Sequence, residues 1–338
     1  MGQNKIQKGK VSVVIPTYNR LGLLDACLNS VFRQNYKRME VIVIDDNSIE
    51  DIAQLIRRKY KKVKLISNNV NMGPAFSKNQ GSILSKGEYI LFLDSDSELI
   101  DKNSISNMVS TFKENEKTGS LGGEAVLDDK GKKIKVAGCG EKEYIYADKN
   151  NKIKECSFLN TSNCMIRKNV FQKVGGFDPY YFYPMEDADL GLAIRREGYI
   201  NYVAFETGTL HKYSKSMRIE RVYSLYKTKT RFLIKNYGVV RALINIPLDS
   251  KESILKPMFH FLKNRFSTTK NGTTEVIGPI EKGIFRKWYF FSITPFLLIR
   301  AYIWNIINFR LTIKSRNKNF LDEKELREYE RKAKPHCS

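Results

Sequence analysis

The first half of the chain predicts a doubly wound α/β fold, and two observations lead to it. Short apolar runs alternate regularly with amphipathic stretches of helical period. The runs are continuously apolar, without the every-second-residue alternation typical of strands with one face in water. Strands of this kind are buried on both faces, and parallel strands need a helical crossover between them. The sequence therefore predicts a mostly parallel sheet flanked by helices.

The first elements follow one another at short intervals. The run Val11–Ile15 predicts the first strand, and the following stretch predicts a helix because Leu24, Leu28 and Val31 share one of its faces. Pro74 opens the third helix at its first turn, where proline is favoured. In order, the predicted strands are 11–15, 41–44, 63–66 and 89–93, and the predicted helices between them are 21–34, 51–60 and 74–85.

The pattern loosens after the fourth strand. It predicts a helix at 103–117, irregular strands at 122–154, an extended segment at 158–166, a helix at 186–197 and a strand at 199–205. Beyond His211, long helical periodicities with basic and aromatic residues replace strand patterns. We therefore predict two regions, residues 1–212 and a basic, mainly helical C-terminal region at residues 213–338.

The charge balance is strongly basic. The chain has 58 Lys and Arg against 36 Asp and Glu, a formal net charge of +22. Between Lys212 and Lys270 there are fourteen basic residues and three acidic ones. Such an excess favours a polyanionic partner: nucleic acid, an anionic membrane face or a phosphorylated substrate. No aromatic RNA-binding signature accompanies it, so we expect no specific nucleic acid.

Cysteine usage and the first residues favour a cytoplasmic location. The five cysteines are scattered and lack C-x-x-C spacing, which argues against a disulfide framework or a zinc site. The stretch Met1–Lys10 is polar and basic, unlike a signal peptide.

The segment Trp288–Phe309 has a membrane-like composition. A spanning helix needs about 20 mostly apolar residues, and Arg300, Asn305 and Asn308 interrupt the run. Basic flanks and both tryptophans favour a helix lying in the interface beside anionic lipid. A spanning helix and a buried helix that covers the first region are the alternatives. The expected location is peripheral, on the inner face of the cell membrane.

Polar residues follow each of the four predicted strands, at the sheet edge where open α/β folds bind ligands. Asp94-Ser95-Asp96 follows the fourth strand, and a rigidly held acid pair suits Mg²⁺ or Mn²⁺ together with phosphate oxygens. A solvated turn is the alternative. Asp46 ends the second strand, where it can accept hydrogen bonds from a base or ribose or form an Asx-turn. A second acid pair, Asp187-Ala188-Asp189, lies inside a helical pattern.

Glycine-rich phosphate loops are missing from the sequence. Neither G-x-G-x-x-G after the first strand nor G-x-x-x-x-G-K-[ST] occurs, which argues against a dehydrogenase and a P-loop nucleotidase. A bound diphosphate must then be neutralised by metal and basic side chains.

These segments together resemble family 2 glycosyltransferases. The resemblance runs through 11–20, 41–48, 71–79 and 87–96, in order and at familiar spacing, and continues in Gly175-Gly176-Phe177-Asp178 and Glu186-Asp187-Ala188-Asp189-Leu190. It covers about residues 11 to 212. It implies a GT-A fold and inverting transfer of a sugar from a nucleotide-diphosphate sugar. The basic helical region after it also resembles rhamnosyltransferase-like members.

The resemblance also implies roles for individual residues. Asp96, with Asp94, is the implied metal ligand, and His211 lies where several GT-A enzymes bring a histidine near the metal or diphosphate; a structural histidine is the alternative. The implied donor-binding residues are Pro16, Thr17, Tyr18, Arg20, Asp46, Lys78, Asp94 and Ser95.

The acceptor side is implied by the later segments. Asp187 is the implied general base, with an acidic helix N-terminus as the alternative. Glu186, Tyr183 and Gly176 are the expected acceptor residues, although the aromatic run at 180–183 would also suit packing. The expected acceptor is a glycan or lipid-linked glycan. The rival interpretation is an inactive GT-A-like protein that binds nucleic acid or an anionic membrane.

Overall fold

The computed structural model comprises two compact units, residues 1–214 with 318–338, and residues 215–317. The residues described are 6–127, 133–137, 144–146, 153–212, 219–250 and 282–332. The described end of the chain, residues 318–332, groups with the first unit, whereas the predicted C-terminal region runs from 213 to 338.

An eight-stranded mixed sheet organises the first unit, in the order β10-β12-β6-β11-β4-β1-β2-β3. Strands β1 to β4 run parallel, so their carboxyl ends meet at one edge. Strand β11 is antiparallel to both of its neighbours, β4 and β6. The strands are β1 Gln7–Thr17, β2 Met39–Asp45, β3 Lys64–Ser67, β4 Gly87–Leu93, β6 Thr118–Gly122, β10 Ile153–Cys156, β11 Asn163–Arg167 and β12 Ile200–Ala204.

A smaller five-stranded sheet has the order β5-β13-β7-β8-β9. Strands β7, β8 and β9 lie within the irregular strands predicted at 122–154, whereas β5 and β13 were not predicted. Its strands are β5 Ser97–Leu99, β7 Glu124–Leu127, β8 Lys133–Ala137, β9 Tyr144–Tyr146 and β13 Thr209–His211. Strand β13 pairs with β5 on one side and with β7 on the other. These pairings bring chain segments that are far apart in sequence to the end of β4.

Helices cover both faces of the large sheet and confirm the α/β prediction. Apolar side chains of β1, β2 and β4 pack with α1, α2 and α4 on one face, and a second cluster with Phe92, Phe171 and Phe177 fills the other. The helices of the first unit are α1 Leu21–Phe32, α2 Ile52–Lys59, α3 Pro74–Leu84, α4 Ser104–Glu114, α5 Lys168–Lys173 and α6 Glu186–Arg196. The thiols of Cys27, Cys156 and Cys164 are buried; Cys139 and Cys337 lie outside the described residues.

The end of the chain returns to the first unit. The ring of Tyr329, in the final helix Glu323–Lys332, stacks on Phe76 of α3 at 5.7 Å between ring centroids. Phe320 N donates a 2.8 Å hydrogen bond to Gly175 O. These contacts fix helix α3 from its outer side.

The second unit is helical. Its helices are α7 Ile219–Tyr237, α8 Val239–Ser250, α9 Lys282–Ile307 and α10 Phe309–Lys314, so the final helix Glu323–Lys332 is α11. Arg231 is fully buried and donates to the hydroxyls of Thr312 and Ser315 at 2.9 and 3.0 Å. Among the described helices, we find none that is both long and apolar enough to cross a membrane.

Candidate functional site

The Asp94-Ser95-Asp96 motif begins immediately after β4, at the carboxyl edge of the sheet. Asp94 N donates to Ser162 O at 3.1 Å, and Ser97 N donates back to Asp94 O at 3.0 Å, which fixes the turn. Ser95 and Asp96 are buried, whereas the side chain of Asp94 is about one-third exposed at 32%. The motif is therefore a hydrogen-bonded turn at the edge of the sheet, and its predicted metal-binding role stays a prediction.

His211 lies directly beside the motif because strand β13 pairs with β5. Its Nε2 is 3.1 Å from Asp96 Oδ1, and its Nδ1 is 2.9 Å from Glu124 Oε1. Burial lowers the pKa of His211, but hydrogen bonds to Asp96 and Glu124 outweigh burial and raise it to about 10. The same bond to His211, with the charge of Arg20, holds the pKa of Asp96 below its ordinary value despite burial.

Two carboxylates and one imidazole form a donor set that fits a divalent cation. One ligand atom each from Asp94, Asp96 and His211 lie within 4.8 Å of one another. Carboxylate oxygens suit both Mg²⁺ and Mn²⁺. Glu124 contacts the far nitrogen of the imidazole, Nδ1, and carboxylates at that position orient metal-binding histidines.

Arg20 occupies the opposite side of Asp96. Its guanidinium contacts Asp96 Oδ2, and about half of its side chain (45%) is exposed. The residue adopts a left-handed conformation, φ 69°, at the N-terminus of α1, which turns the side chain towards the motif. Arg20 and His211 thus balance the negative charge of Asp96.

Lys78, on α3, is almost fully buried and links the motif to the interior of the site. Its Nζ is 2.9 Å from Asp94 Oδ1 and donates to Thr161 Oγ1 at 2.7 Å. Burial lowers the pKa of Lys78, but the surrounding carboxylates, led by Asp94 and Asp187, outweigh it and raise the pKa above its ordinary value. An ammonium at this position therefore stays charged, and it faces the acids rather than open solvent.

Asp187 lies in the first turn of α6 and contacts Thr161 twice. Its Oδ1 accepts from the Thr161 hydroxyl, and its Oδ2 accepts from Thr161 N at 3.2 Å. Burial raises the pKa of Asp187, against the opposing effect of Lys78. The neighbouring Glu186 is buried, and burial followed by the charge of Asp187 raises its pKa well above the usual range.

The end of β1 and the loop after it hold four of the predicted donor-binding residues. Pro16 and Thr17 are buried at the end of the strand, while Tyr18 is 41% exposed. Thr17 O accepts from Asp46 N at 2.8 Å, which ties this loop to the end of β2. Tyr18 and Arg20 are the side chains of the loop that reach solvent or the acids.

Asp46 is buried and holds the segment that leads into α3. Its Oδ1 accepts from Asn68 Nδ2 and Met72 N at 2.8 and 2.9 Å, and its Oδ2 accepts from Gly73 N at 2.8 Å. Asp45, rather than Asp46, forms the local turn by accepting from Ser48 N at 3.0 Å. The structure thus gives Asp46 a role in loop shape, and its predicted contact with a nucleotide stays a prediction.

The predicted acceptor residues are spread over the segment before α6. Tyr183 is 43% exposed. Gly176 has φ +75°, and a Cβ there would lie 2.7 Å from Asn79 Oδ1 and 2.8 Å from Leu321. Gly176 is therefore packed against α3 and the end of the chain, whereas Glu186 lies beside Asp187.

Sequence reasoning missed the segment Asn160-Thr161-Ser162, which joins the two halves of the site. Asn160 Nδ2 donates to Glu124 Oε1 at 2.8 Å, and the Ser162 hydroxyl donates to the same oxygen. Thr161, between them, holds Asp187 instead. The available signal was a run of polar residues, Asn160 to Asn163, directly before a buried strand.

The mixed sheet with a metal-type acid pair at its carboxyl edge defines the GT-A class of glycosyltransferase folds. A mannosyltransferase from Pyrobaculum calidifontis, solved with GDP-Man and Mn²⁺, has the same fold at a TM-score of 0.55 and 14% identity, covering 88% of this chain and 86% of that one. Residues 12–175 match the family described as Glycosyl transferase family 2. This part of the chain is a family 2 glycosyltransferase domain.

Two curated relatives support the assignment. An uncharacterized glycosyltransferase of Rickettsia bellii is 36% identical over 142 residues, 41% of this chain and 20% of that protein. The GalNAc(5)-diNAcBac-PP-undecaprenol beta-1,3-glucosyltransferase of Campylobacter jejuni is 35% identical over 128 residues, 36% of this chain and 40% of that protein. The similarity therefore spans between one fifth and two fifths of the length of these relatives.

Proposed function

We propose that the protein is a metal-dependent, inverting glycosyltransferase that moves a sugar from a nucleotide-diphosphate sugar to a hydroxyl of a glycan or lipid-linked glycan. One observation carries the proposal. A metal-type donor set and a half-buried carboxylate suited to act as a base are connected through one buried lysine. An inactive binding protein would have no need to keep these charged groups desolvated and aligned.

The reaction is a single displacement. Asp187 accepts the proton of the acceptor hydroxyl while that oxygen forms a bond to the anomeric carbon of the donor. The bond from the anomeric carbon to the diphosphate oxygen breaks, and the nucleoside diphosphate leaves with the electron pair. One sugar is transferred, with inversion, and one proton moves to the enzyme.

A divalent cation supports this reaction by neutralising the departing diphosphate. Asp94, Asp96 and His211 would hold it, with Mn²⁺ or Mg²⁺ as the expected ion. Arg20 is close enough to Asp96 to contribute positive charge to the same region. Tyr18, exposed at the end of β1, is the residue of that loop we propose to contact the nucleotide base.

The donor panel is UDP-glucose, UDP-N-acetylglucosamine, GDP-mannose and dTDP-rhamnose. For each donor, the test measures nucleotide release and the melting temperature of the protein with Mn²⁺, with Mg²⁺ and in excess chelator. We expect a specific donor to raise the melting temperature only with metal, because ligands that bind the folded state stabilise it. Turnover should stop in chelator. Full turnover in excess chelator contradicts the metal requirement.

The assignment of the base has its own variant pair. Asp187→Asn should bind the donor normally and lose at least about 100-fold in turnover, the lower range for general acid–base catalysis. Asp189→Asn, two residues later in the same helix, is the matched control. Its carboxylate accepts from Tyr181 OH at 3.1 Å, a bond that asparagine can keep. Normal turnover of Asp187→Asn removes the residue from this role.

The second unit supports a peripheral membrane location, as the sequence analysis expected. Helix α9 exposes Phe296, Ile299, Ile303, Ile306 and Ile307, with exposed fractions between 49% and 76%. Their spacing places them within one face of the helix. Residues 215–317 contain twenty Lys and Arg against five Asp and Glu. An apolar face in a strongly basic unit fits a bilayer surface rich in anionic lipid, where a lipid-linked acceptor would be presented.

Vesicle sedimentation tests this surface. The full chain should pellet with vesicles containing phosphatidylglycerol at low salt and much less with pure phosphatidylcholine. Ile303→Glu with Ile306→Glu should abolish pelleting, whereas Ile49→Glu, at a 91% exposed position of the first unit, should not. Unchanged pelleting of the double variant contradicts membrane docking. Loss of a dimer in size-exclusion chromatography instead would assign the face to a second copy of the chain.

A further inference from the structure

The hydroxyl of Thr161 has one arrangement of hydrogen bonds available. Lys78 Nζ lies 2.7 Å from Thr161 Oγ1, and an ammonium carries donors alone. The threonine oxygen must therefore accept from Lys78. Its own proton is then directed to Asp187 Oδ1, the other partner of the hydroxyl.

The backbone of the same residue completes a two-point contact. Thr161 N donates to Asp187 Oδ2 at 3.2 Å, so each carboxylate oxygen of Asp187 is held by Thr161. Thr161 is only 1% exposed and Lys78 only 2%, so water does not compete for these bonds. Each oxygen of a carboxylate has two lone pairs, and one on each remains available for a proton from the acceptor.

The chain of contacts extends to the metal motif. Lys78 pairs with Asp94 Oδ1 at 2.9 Å, which gives the continuous path Asp94, Lys78, Thr161, Asp187. The flanking Asn160 and Ser162 hold Glu124, the carboxylate that contacts His211. Within this short segment, Thr161 thus contacts the proposed base, whereas its neighbours Asn160 and Ser162 contact the carboxylate beside His211.

We propose that Thr161 is the positioning residue for the general base, and that Lys78 sets the direction of its hydroxyl. Thr161 fixes the rotation of the Asp187 carboxylate relative to the motif that would hold the metal. This inference rests on the proposed function, since it needs Asp187 to act as the base. A misplacement of about 1 Å in a reacting group can lower the rate about 100-fold, so loss of the Thr161 contact should be measurable as a fall in kcat.

The experiment compares Thr161→Val, which removes the hydroxyl at similar shape, with Thr161→Ser, which keeps it. The readout is nucleotide release from the best donor of the panel with water as acceptor, together with the donor Kd measured by calorimetry. We expect Thr161→Val to lower kcat by about 10- to 100-fold with the donor Kd unchanged within about twofold. Thr161→Ser should restore kcat to within about threefold of the wild type.

Two further variants keep the outcome decisive. Thr161→Ala also lacks the hydroxyl without adding volume, and it replaces the valine variant if that one does not fold. Lys78→Met removes the ammonium that directs the hydroxyl and should lower kcat in the same direction. Equal kcat in the valine, alanine and wild-type enzymes overturns the inference, as does a loss in Thr161→Ser as large as in Thr161→Val.

A double-mutant cycle separates this inference from the proposed function. If Thr161 acts through Asp187, Thr161→Val adds little further loss to Asp187→Asn. A fully additive further loss contradicts positioning. Turnover retained by Asp187→Asn alone refutes the base assignment itself, whereas an inactive Asp187→Asn beside a normal Thr161→Val refutes positioning alone.

Discussion

Glu124 Oε1 lies 2.9 Å from His211 Nδ1, on the side of the imidazole opposite Asp96. Three hydrogen-bond donors converge on this one oxygen, from His211, Asn160 and Ser162. A carboxylate so fixed holds the imidazole with Nε2 directed at the acid pair. A carboxylate that orients a metal-binding histidine in this way raises the affinity of the site for metal.

Glu124→Gln should therefore weaken Mn²⁺ binding by about 10- to 100-fold, the range for removing a residue that holds a metal ligand in place. The measurement is electron paramagnetic resonance of free Mn²⁺ during titration of the protein without nucleotide. Glu98→Gln is the matched control, because Glu98 pairs with Lys212 beside the same motif. Equal affinities in the two variants would show that Glu124 does not orient the ligand.

Arg20 leads to a prediction of opposite sign. Its guanidinium pairs with Asp96, so a metal must compete with it for the carboxylate. Arg20→Ala should tighten Mn²⁺ binding by up to about fivefold, because a partly exposed ion pair contributes at most about 1 kcal/mol. The same variant should weaken nucleoside diphosphate binding, where the positive charge helps. Isothermal titration with Mn²⁺ alone and then with UDP and GDP in saturating Mn²⁺ distinguishes the two effects, and Mn²⁺ affinity that falls contradicts the competition.

The acid pair was predictable because a continuous apolar strand led directly into it, and the parallel sheet because four such strands alternated with helices. Glu124 and Thr161 were not predictable for a physical reason. Glu124 begins β7, which has four residues, and its partner His211 ends β13, which has three; runs so short carry no readable period. Thr161 precedes β11, and its partners Lys78 and Asp187 lie on helices α3 and α6. These contacts depend on which strands pair and how the helices pack, which are properties of the whole topology.

Helix α9 shows a different limit of sequence reasoning. Its apolar residues are distributed around the axis, with Leu298 and Ala301 buried while Ile299 and Ile303 are exposed. A helix that is apolar all round gives no dominant face, so periodicity could not say which side packs on α7. The side of α9 that packs on α7 carries Asn305, whose Nδ2 donates to Lys227 O of α7 at 2.9 Å.

Two glycines in helices provide a matched test of packing. A Cβ on Gly81, in α3, would lie 2.4 Å from Val14 Cγ1 on β1, whereas a Cβ on Gly22, in α1, meets nothing within 4 Å. Gly81→Ala should lower the free energy of unfolding by about 1–3 kcal/mol, the usual cost of overpacking. Gly22→Ala should raise it by up to about 1 kcal/mol through helix propensity.

Urea denaturation measures both changes when the free energy of unfolding depends on urea concentration with the same slope in all variants. The cause can be checked by adding Val14→Ala, which removes the clashing methyl groups. The double variant Gly81→Ala with Val14→Ala should then lose less than the two single losses added together. Simple additivity would mean that the cost of Gly81→Ala does not come from this contact.

Glu186 makes stability depend on pH. The side chain is buried, and among the described residues its Oε2 finds no hydrogen-bond partner. Burial, followed by the charge of Asp187, raises its pKa well above the ordinary value of 4.5. A carboxyl group whose pKa is higher in the folded than in the unfolded protein stabilises the fold at pH values below its unfolded-state pKa. That stabilisation is lost as pH rises through the folded-state pKa.

Glutamine has the same shape as glutamic acid and no proton to lose. The free energy of unfolding of Glu186→Gln relative to the wild type should therefore increase as pH rises from 4.5, by at most about 1.4 kcal/mol per pH unit. Urea denaturation between pH 4.5 and 8 measures the difference, with Glu114→Gln at an exposed position of α4 as the control. A difference that stays constant with pH would mean that Glu186 is ionised in the folded protein at every pH in that range, held charged by Lys78.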